Sequence, residues 1–164
     1  MIQYTIMDSP IGKLLLAQSN NGLNHIIFEY QIHQFESIIH KKFPNQPIQR
    51  NDEALQPVVD QLNAYFAGER SSFDLNLDLV MPPFQTEALN VVKQIPYGSY
   101  LTYKEVAERA GNPKAVRAAG SANANNPLPI VIPCHRVLAT GGGLGGYGGG
   151  LDMKNFLLNL EGAL

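Results

Sequence analysis

The chain has 164 residues, of which 45% are hydrophobic and 16% are charged; this composition fits a folded globular protein and excludes a disordered one. No apolar run reaches the ~20 residues of a membrane-spanning helix, and residues 1–6 lack the basic and apolar stretches of a signal peptide. The single cysteine, Cys134, cannot form an internal disulfide and excludes any zinc site with two or more cysteine ligands. We therefore expect a cytoplasmic protein.

The net charge of −2 is unevenly distributed along the chain. Residues 1–83 hold five Lys and Arg against nine Asp and Glu, whereas residues 84–164 hold seven against five. A polyanionic partner would therefore meet the C-terminal half, over a small footprint, because phosphate affinity scales with the charges neutralised. Scatter in surface charge would give the same asymmetry, so the observation is weak by itself.

The N-terminal half alternates between strand and helix patterns. The motif Asn20-Asn21-Gly22 predicts a hairpin turn, Pro44 ends a short helix, and Met81-Pro82-Pro83 interrupts the pattern. We predict three strands, two helices and a last strand over residues 2–7, 13–18, 23–29, 33–43, 53–66 and 72–79. We place a domain boundary after Pro83, which gives an α+β protein whose N-terminal α/β domain, residues 1–83, contains an antiparallel sheet.

The C-terminal domain, residues 84–164, is mostly helical in pattern. After a helix over residues 84–94, Thr102 and Glu105 fit a capping box at the start of a second helix. Asn112 and Pro113 fit the N-cap and first position of a third helix. The predicted small buried face of that third helix consists of Ala115, Ala118, Ala119 and Ala122. Two short helices so joined are typical of a DNA-binding helix-turn-helix, although an ordinary helical hairpin is the commoner structure.

Cys134 follows a β-branched run, residues 130–132, that we expect to be buried and extended. His135 and Arg136 come directly after it, and neighbouring basic groups favour the reactive thiolate of a cysteine. Most lone cysteines are small buried hydrophobes, so the motif alone leaves both interpretations open. The glycine-rich segment 141–150, with one tyrosine, could form the wall of a ligand pocket because glycines permit close backbone approach.

Several collinear motifs resemble those of the O6-alkylguanine-DNA alkyltransferases. The active-site motif Ile132-Pro133-Cys134-His135-Arg136-Val137 matches in full. The remaining matches cover roughly half the chain and are Phe84-Gln85, Ile95-Pro96-Tyr97-Gly98, Thr102-Tyr103, Gly111-Asn112-Pro113-Lys114-Ala115, Arg117-Ala118, Asn126-Pro127, Gly146-Tyr147-Gly148-Gly149, Lys154, Leu157-Leu158 and Glu161-Gly162. In residues 1–83 the likeness is looser, and the resemblance implies a ribonuclease-H-like fold there.

The resemblance assigns catalytic roles to four residues. Cys134 would attack the O6-alkyl group, His135 would accept the thiol proton through a water, and Glu161 would orient the histidine. Tyr103 would donate to guanine N3 as the base leaves, and the backbone N–H of Gly148 would stabilise O6.

The resemblance also places the DNA and the base. Arg117 would fill the gap left by a flipped nucleotide, and Asn126 would tie the active-site segment to a recognition helix in the minor groove. We further expect Lys114, Ser121 and Arg136 at the DNA surface. The expected substrate pocket comprises Val137, Tyr147, Gly148 and Gly149, and the carbonyls of Cys134 and Val137 would accept from the guanine amine.

The implied function is DNA repair by irreversible transfer of the alkyl group from O6-alkylguanine, and less readily O4-alkylthymine, to Cys134. Because the product is a thioether, the protein would be a single-turnover methyltransferase. The resemblance implies no cofactor or metal, and it implies a monomer that acts on double-stranded DNA. The chain departs from the family in having no tryptophan, in Ala124 where some members have a basic residue, and in Gly148 where some have serine.

Parts of the sequence also fit three other functions. A cysteine hydrolase would also use Cys134 and His135 but would turn over acyl substrates. Alkyltransferase-like proteins bind the lesion without repairing it, and the presence of Cys134 counts against that function. A transcriptional regulator is disfavoured because the chain has one helix-turn-helix and no second regulatory domain.

Overall fold

The structure is a computed structural model that describes residues 1–164, and it divides into two compact units, Met1–Val80 and Met81–Leu164. The sequence places the boundary slightly later, after Pro83. Pro83 instead begins the first helix of the second unit, a position that suits proline because the first helical N–H has no intrahelical acceptor. None of the helices is both long and apolar enough to cross a bilayer.

The first unit contains a four-stranded sheet and two helices. The strands are β1 (Ile2–Met7), β2 (Leu14–Ser19), β3 (Gly22–Phe28) and β4 (Ile48–Arg50), and the helices are α1 (Phe35–Lys42) and α2 (Gln56–Phe66). The sheet order is β3-β2-β1-β4. The antiparallel pairing predicted for the first three strands is confirmed, and β4 adds a parallel partner to β1.

The core of this unit forms because every second residue of a strand points to the same face of the sheet, and the residues on that face are apolar. Ile2, Leu15, Ala17 and Ile27 pack on one face of the sheet with Ile39 from α1. The hairpin at Asn20-Asn21 is confirmed, since Ser19 pairs with Gly22 across it.

Two predictions in this unit are wrong in detail. Residues 72–79 form no strand. They form an isolated bridge between Leu77 and Leu23, where the segment crosses the edge of the sheet at Gly22 and Leu23. A side chain at Gly22 would meet the Asn76 carbonyl oxygen at 2.4 Å, so glycine is required there. The predicted helix 33–43 divides into a 3₁₀ turn, Glu29–Gln34, and α1.

The second unit consists of four helices and a two-stranded parallel sheet. Its elements are α3 (Pro83–Lys93), β5 (Leu101–Thr102), α4 (Tyr103–Arg109), α5 (Val116–Ala124), β6 (Val137–Leu138) and α6 (Leu151–Leu160). Helix α3 packs against both α4 and α5. The predicted capping box is confirmed: Thr102 Oγ1 accepts from the Glu105 N–H at 3.2 Å, and Glu105 Oε1 accepts from the Thr102 N–H at 3.0 Å.

The predicted start of α5 at Asn112 and Pro113 is wrong. The Asn112 N–H closes the end of α4 by donating to the Ala107 carbonyl, and its side-chain oxygen accepts from the Lys114 N–H. Both polar groups are thus used in a turn, and α5 begins at Val116. The buried face of α5 is Ala119, Ala122 and Asn123, whereas Ala118 is exposed, contrary to the prediction.

A buried histidine in the first unit makes its stability pH-dependent. His25 is 3% exposed, and its pKa is lowered to about 4 by burial and by the nearby charge of Lys42. An unfolded histidine binds its proton near the ordinary pKa of 6.5, so the unfolded state gains protons first as the pH falls. We expect about 3 kcal/mol of unfolding free energy to be lost between the two pKa values.

The measurement is urea unfolding of the full chain as a function of pH, with His25→Leu as the comparison. The variant should show a shallower fall in stability below pH 6.5, because carboxylates contribute equally in both proteins. Identical slopes for the two proteins would contradict the assignment.

Candidate active site

Cys134 begins a 3₁₀ turn, Cys134–Arg136, immediately before β6. The run before it is buried, as predicted, but it is not extended: residues 130–132 turn tightly, and the Ile132 N–H donates to the Leu128 carbonyl. Ile130 has φ 75°, a conformation that costs a β-branched residue free energy. Cys134 therefore comes directly after a strained and buried turn of the backbone.

A buried carboxylate joins the two residues that follow the cysteine. Glu161, at the end of α6, accepts from His135 Nε2 at 2.8 Å and from Arg136 Nε and Nη2 at 2.7 and 2.9 Å. The remaining terminal nitrogen, Nη1, donates to the Ile95 carbonyl at 2.6 Å. All three ionisable side chains are buried, so their charges and hydrogen bonds must be satisfied by one another.

The expectation that Arg136 binds DNA is corrected by this geometry. Its side chain is 7% exposed, its guanidinium is held by Glu161 and Ile95, and the Tyr97 ring lies 5.7 Å from its central carbon. A guanidinium that is buried and held in this way is not presented at the protein surface, where a phosphate would bind. Arg136 is a structural partner of Glu161.

His135 has the properties of a base. Burial lowers its pKa, which outweighs the raising effect of the Glu161 carboxylate, so the ring is neutral near pH 7. The neutral ring carries one proton, and Glu161 requires it on Nε2 as a hydrogen-bond donor. Nδ1 is then a lone-pair acceptor, and it is buried without a hydrogen-bond partner.

Cys134 itself is held as a thiol. It is 5% exposed, and burial raises its pKa to about 11, against the opposing effects of a hydrogen bond from Asn126 and the charge of Lys154. A neutral-pH reaction therefore needs a base that removes the proton as the sulfur attacks.

Lys154 is a buried residue on α6 to which sequence reasoning gave no role. Its ammonium donates to the carbonyls of Val137 at 2.7 Å, Gly146 at 3.1 Å and Leu144. Burial lowers its pKa to about 8. Lys154 thereby connects the glycine-rich loop to β6. The sequence feature that could have indicated this role is a lone lysine on the otherwise apolar side of α6.

A cavity of about 560 Å³ lies between α5 and the glycine-rich loop. This volume falls within the ~300–1,000 Å³ usual for small-molecule pockets. Its walls are Tyr103, Val116, Gly120, Asn123, Ala124, Gly146, Tyr147 and Gly148. The half-buried Tyr103 hydroxyl lies 3.5 Å from the Gly146 carbonyl, and burial raises the pKa of this tyrosine.

Two of the expected pocket residues lie outside these walls. Val137 is fully buried, and its carbonyl accepts from Lys154. Gly149 packs under Met153, whose sulfur would overlap any β-carbon added there. The Cys134 carbonyl also has a donor in place, Asn123 Nδ2 at 3.2 Å. Sequence reasoning assigned no function to Asn123.

Residues at and after α5 divide between the surface and the active-site segment. Lys114, Arg117 and Ser121 are exposed, although Lys114 lies in the turn before α5. Asn126, just beyond the helix, donates to the Ile132 carbonyl at 2.8 Å and accepts from the Leu128 N–H at 2.9 Å. It thereby joins the end of α5 to the turn that precedes Cys134.

Comparisons with known proteins give one consistent result. Residues 83–163 match the DNA-binding domain of 6-O-methylguanine DNA methyltransferase, and residues 2–79 match its ribonuclease-like domain. The chain is 45% identical over 160 residues to a methylated-DNA–protein-cysteine methyltransferase of Methanosarcina acetivorans, covering 98% of each.

Solved structures agree. The chain is similar to the O6-methylguanine methyltransferase of Mycobacterium tuberculosis, with 42% identity, a TM-score of 0.87 and coverage of 99% of this chain and 94% of that one. A structure of the same organism's protein in complex with DNA has 40% identity, a TM-score of 0.85 and coverage of 98% and 93%.

The buried ion pair predicts a large difference between two arginine substitutions. Arg136→Met leaves the Glu161 charge buried without its main partner and should lower the free energy of unfolding by about 3–5 kcal/mol. Arg50→Met removes an exposed pair with Asp52, whose charges water already solvates, and should lower the free energy of unfolding far less. Urea unfolding measures both; equal losses would contradict the role given to Arg136.

The buried thiol predicts slow reaction with small reagents. We expect the rate of Cys134 alkylation by iodoacetamide to rise about tenfold per pH unit from neutral pH upward, because only the thiolate reacts. In urea the rate should level off near the ordinary pKa of 9.0, whereas in the folded protein it should continue to rise toward about 11. Levelling below pH 9 in the folded protein would show that the thiolate is stabilised at rest.

Proposed function

The chain belongs to the methylated-DNA–protein-cysteine methyltransferases, which repair alkylated DNA by transfer of the alkyl group to a cysteine, and from that premise we propose that Cys134 is the acceptor. One observation carries the assignment. The only cysteine of the chain is followed directly by a neutral histidine, and a buried carboxylate holds that histidine by a hydrogen bond. DNA is the partner of this family, and it is the partner of this chain.

The transfer is an in-line displacement at the alkyl carbon of O6-alkylguanine. The thiol proton passes to His135 Nδ1, through a water, as the sulfur attacks; the carbon–oxygen bond breaks as the carbon–sulfur bond forms. Glu161 stabilises the histidinium that results. Tyr103 gives a proton to N3 of the leaving guanine, and the proton on His135 then returns through solvent to the tyrosinate, so that the thiol and the O6-alkyl base become a thioether and a neutral base.

Guanine becomes a better leaving group when its negative charge is neutralised as the charge develops. Gly148, in the cavity wall beside Tyr147, supplies the backbone donor to O6. The resting structure has donors on the carbonyls of both Cys134 and Val137. The Cys134 carbonyl also accepts from the Val137 N–H, so the guanine amine would have to replace one of its two donors.

The product is a thioether, and no group of the site can hydrolyse it. The protein is therefore consumed, one chain for each lesion. O4-alkylthymine, which offers a similar alkoxy group on a smaller base, is a poorer substrate of the same cavity.

DNA binding places α5 in the minor groove with the alkylated nucleotide flipped into the cavity. A stacked base cannot present its alkyl carbon in line with a buried sulfur, so flipping is required. The exposed Arg117 fills the vacated stack, and Lys114 and Ser121 contact the backbone; the few positive charges suit binding that is independent of sequence.

The competing functions predict different products. A hydrolase would release the acyl group and recycle its thiol, and a lesion-binding protein would leave the base unchanged. We place the protein in the cytoplasm, where reducing conditions keep its one thiol free, and expect it to act as a monomer.

The test is intact mass after incubation with a duplex that contains O6-methylguanine. The chain should gain the mass of one methylene, with one chain modified for each lesion and no second round when fresh DNA is added. Cys134→Ala should bind the duplex and gain nothing. Repair of the base with the protein mass unchanged, or modification of Cys134→Ala, would refute the assignment.

A further inference from the structure

Asn123 lies where the cavity, the recognition helix and the cysteine segment meet. The residue is 7% exposed, on the buried side of α5, and it contributes to the cavity wall together with Tyr103. Its Nδ2 donates to the Cys134 carbonyl at 3.2 Å. The same amide shares the cavity wall with the Tyr103 phenol, and its proximity opposes the rise in the pKa of Tyr103 that burial causes.

Helix α5 approaches Tyr103 at a second position. A β-carbon at Gly120 would lie 3.9 Å from the Tyr103 ring, an ordinary contact distance. Gly120 and Asn123 occupy adjacent positions on one helix face, since residues three apart are neighbours. The adjoining face carries the exposed Arg117 and Ser121. One short helix therefore presents a DNA-facing side and a side directed at the reacting groups.

We propose that Asn123 is a positioning residue of the transfer reaction, whose amide links the Tyr103 phenol on α4 to the backbone carbonyl of Cys134. The proposal rests on the proposed function of Cys134 and Tyr103. The amide fixes the separation of the group that donates to the leaving base and the residue that attacks the alkyl carbon. Because Asn123 belongs to α5, docking of that helix on DNA sets both groups together.

A purely structural role is the alternative. Asn123 would then only satisfy a buried carbonyl, and its loss would lower stability without affecting the chemistry of a folded protein. A positioning role instead lowers the maximal transfer rate and leaves the protein concentration that half-saturates the DNA unchanged. It also changes the pH profile: loss of the amide raises the pKa of Tyr103, so the fall in rate at high pH moves to higher pH.

The experiment is single-turnover transfer from an O6-methylguanine duplex with the protein in excess. Asn123→Leu keeps the approximate volume and removes the amide, and Asn123→Ala serves if the leucine variant does not fold. We expect a maximal rate lower by about 10²-fold, the loss typical of misplaced reacting groups, with half-saturation within about twofold. Asn125→Ala, an exposed asparagine on the same turn, should transfer at the wild-type rate.

A double-mutant cycle with Tyr103→Phe completes the test. If Asn123 acts through Tyr103, its substitution should have much less effect in the Tyr103→Phe background than in the wild type. A wild-type rate in Asn123→Leu, a loss of DNA affinity alone, or fully additive effects would overturn the proposal. Failure of the wild-type protein to become methylated in the same assay would instead refute the proposed function.

Discussion

The carboxylate of Glu161 lies buried between Arg136 and His135, and the arrangement of the active site depends on it. Burying ions costs several kcal/mol for each, and the cost is offset only when every donor and acceptor is paired. Arg136 provides that pairing with two donors on the carboxylate and a third on the Ile95 carbonyl. The permanent charge of Arg136 keeps Glu161 ionised, so the carboxylate accepts from His135 Nε2 and leaves Nδ1 as the acceptor.

Burial keeps Cys134 and His135 uncharged in the resting protein. Burial raises the pKa of the Cys134 thiol to about 11, and burial also lowers the pKa of His135. The same desolvation thus keeps Cys134, the proposed nucleophile, as a thiol at rest and keeps His135, its proposed base, uncharged. A nucleophile that can act only once gains from this arrangement, because a permanently ionised thiolate would be lost to oxidation or to small electrophiles. Lys154 contributes by fixing the loop that closes one side of the cavity.

Local sequence signals predicted much of the fold and part of the site. The capping box of α4 and the hairpin at Asn20-Asn21 depend on residues close in sequence, and both are confirmed. Residues 72–79 alternate like a strand, but their backbone finds only a short partner at Leu23. Arg136 was predicted to bind DNA because its charge can be read from the sequence. Its buried partner, Glu161, lies 25 residues away, and no local pattern connects the two. Asn123 and Lys154 were missed for the same reason: their acceptors are backbone carbonyls, which carry no residue-specific signal.

Glu161 fixes His135 as a neutral ring protonated on Nε2, with Nδ1 free to accept. Nitrogen-15 NMR of the imidazole resolves tautomer and charge directly. We expect an Nε2–H signal and an unprotonated Nδ1 at pH 7, with titration only below the ordinary pKa of 6.5, and loss of the single tautomer in Glu161→Gln. An imidazolium at pH 7, or a ring protonated on Nδ1, would contradict this assignment.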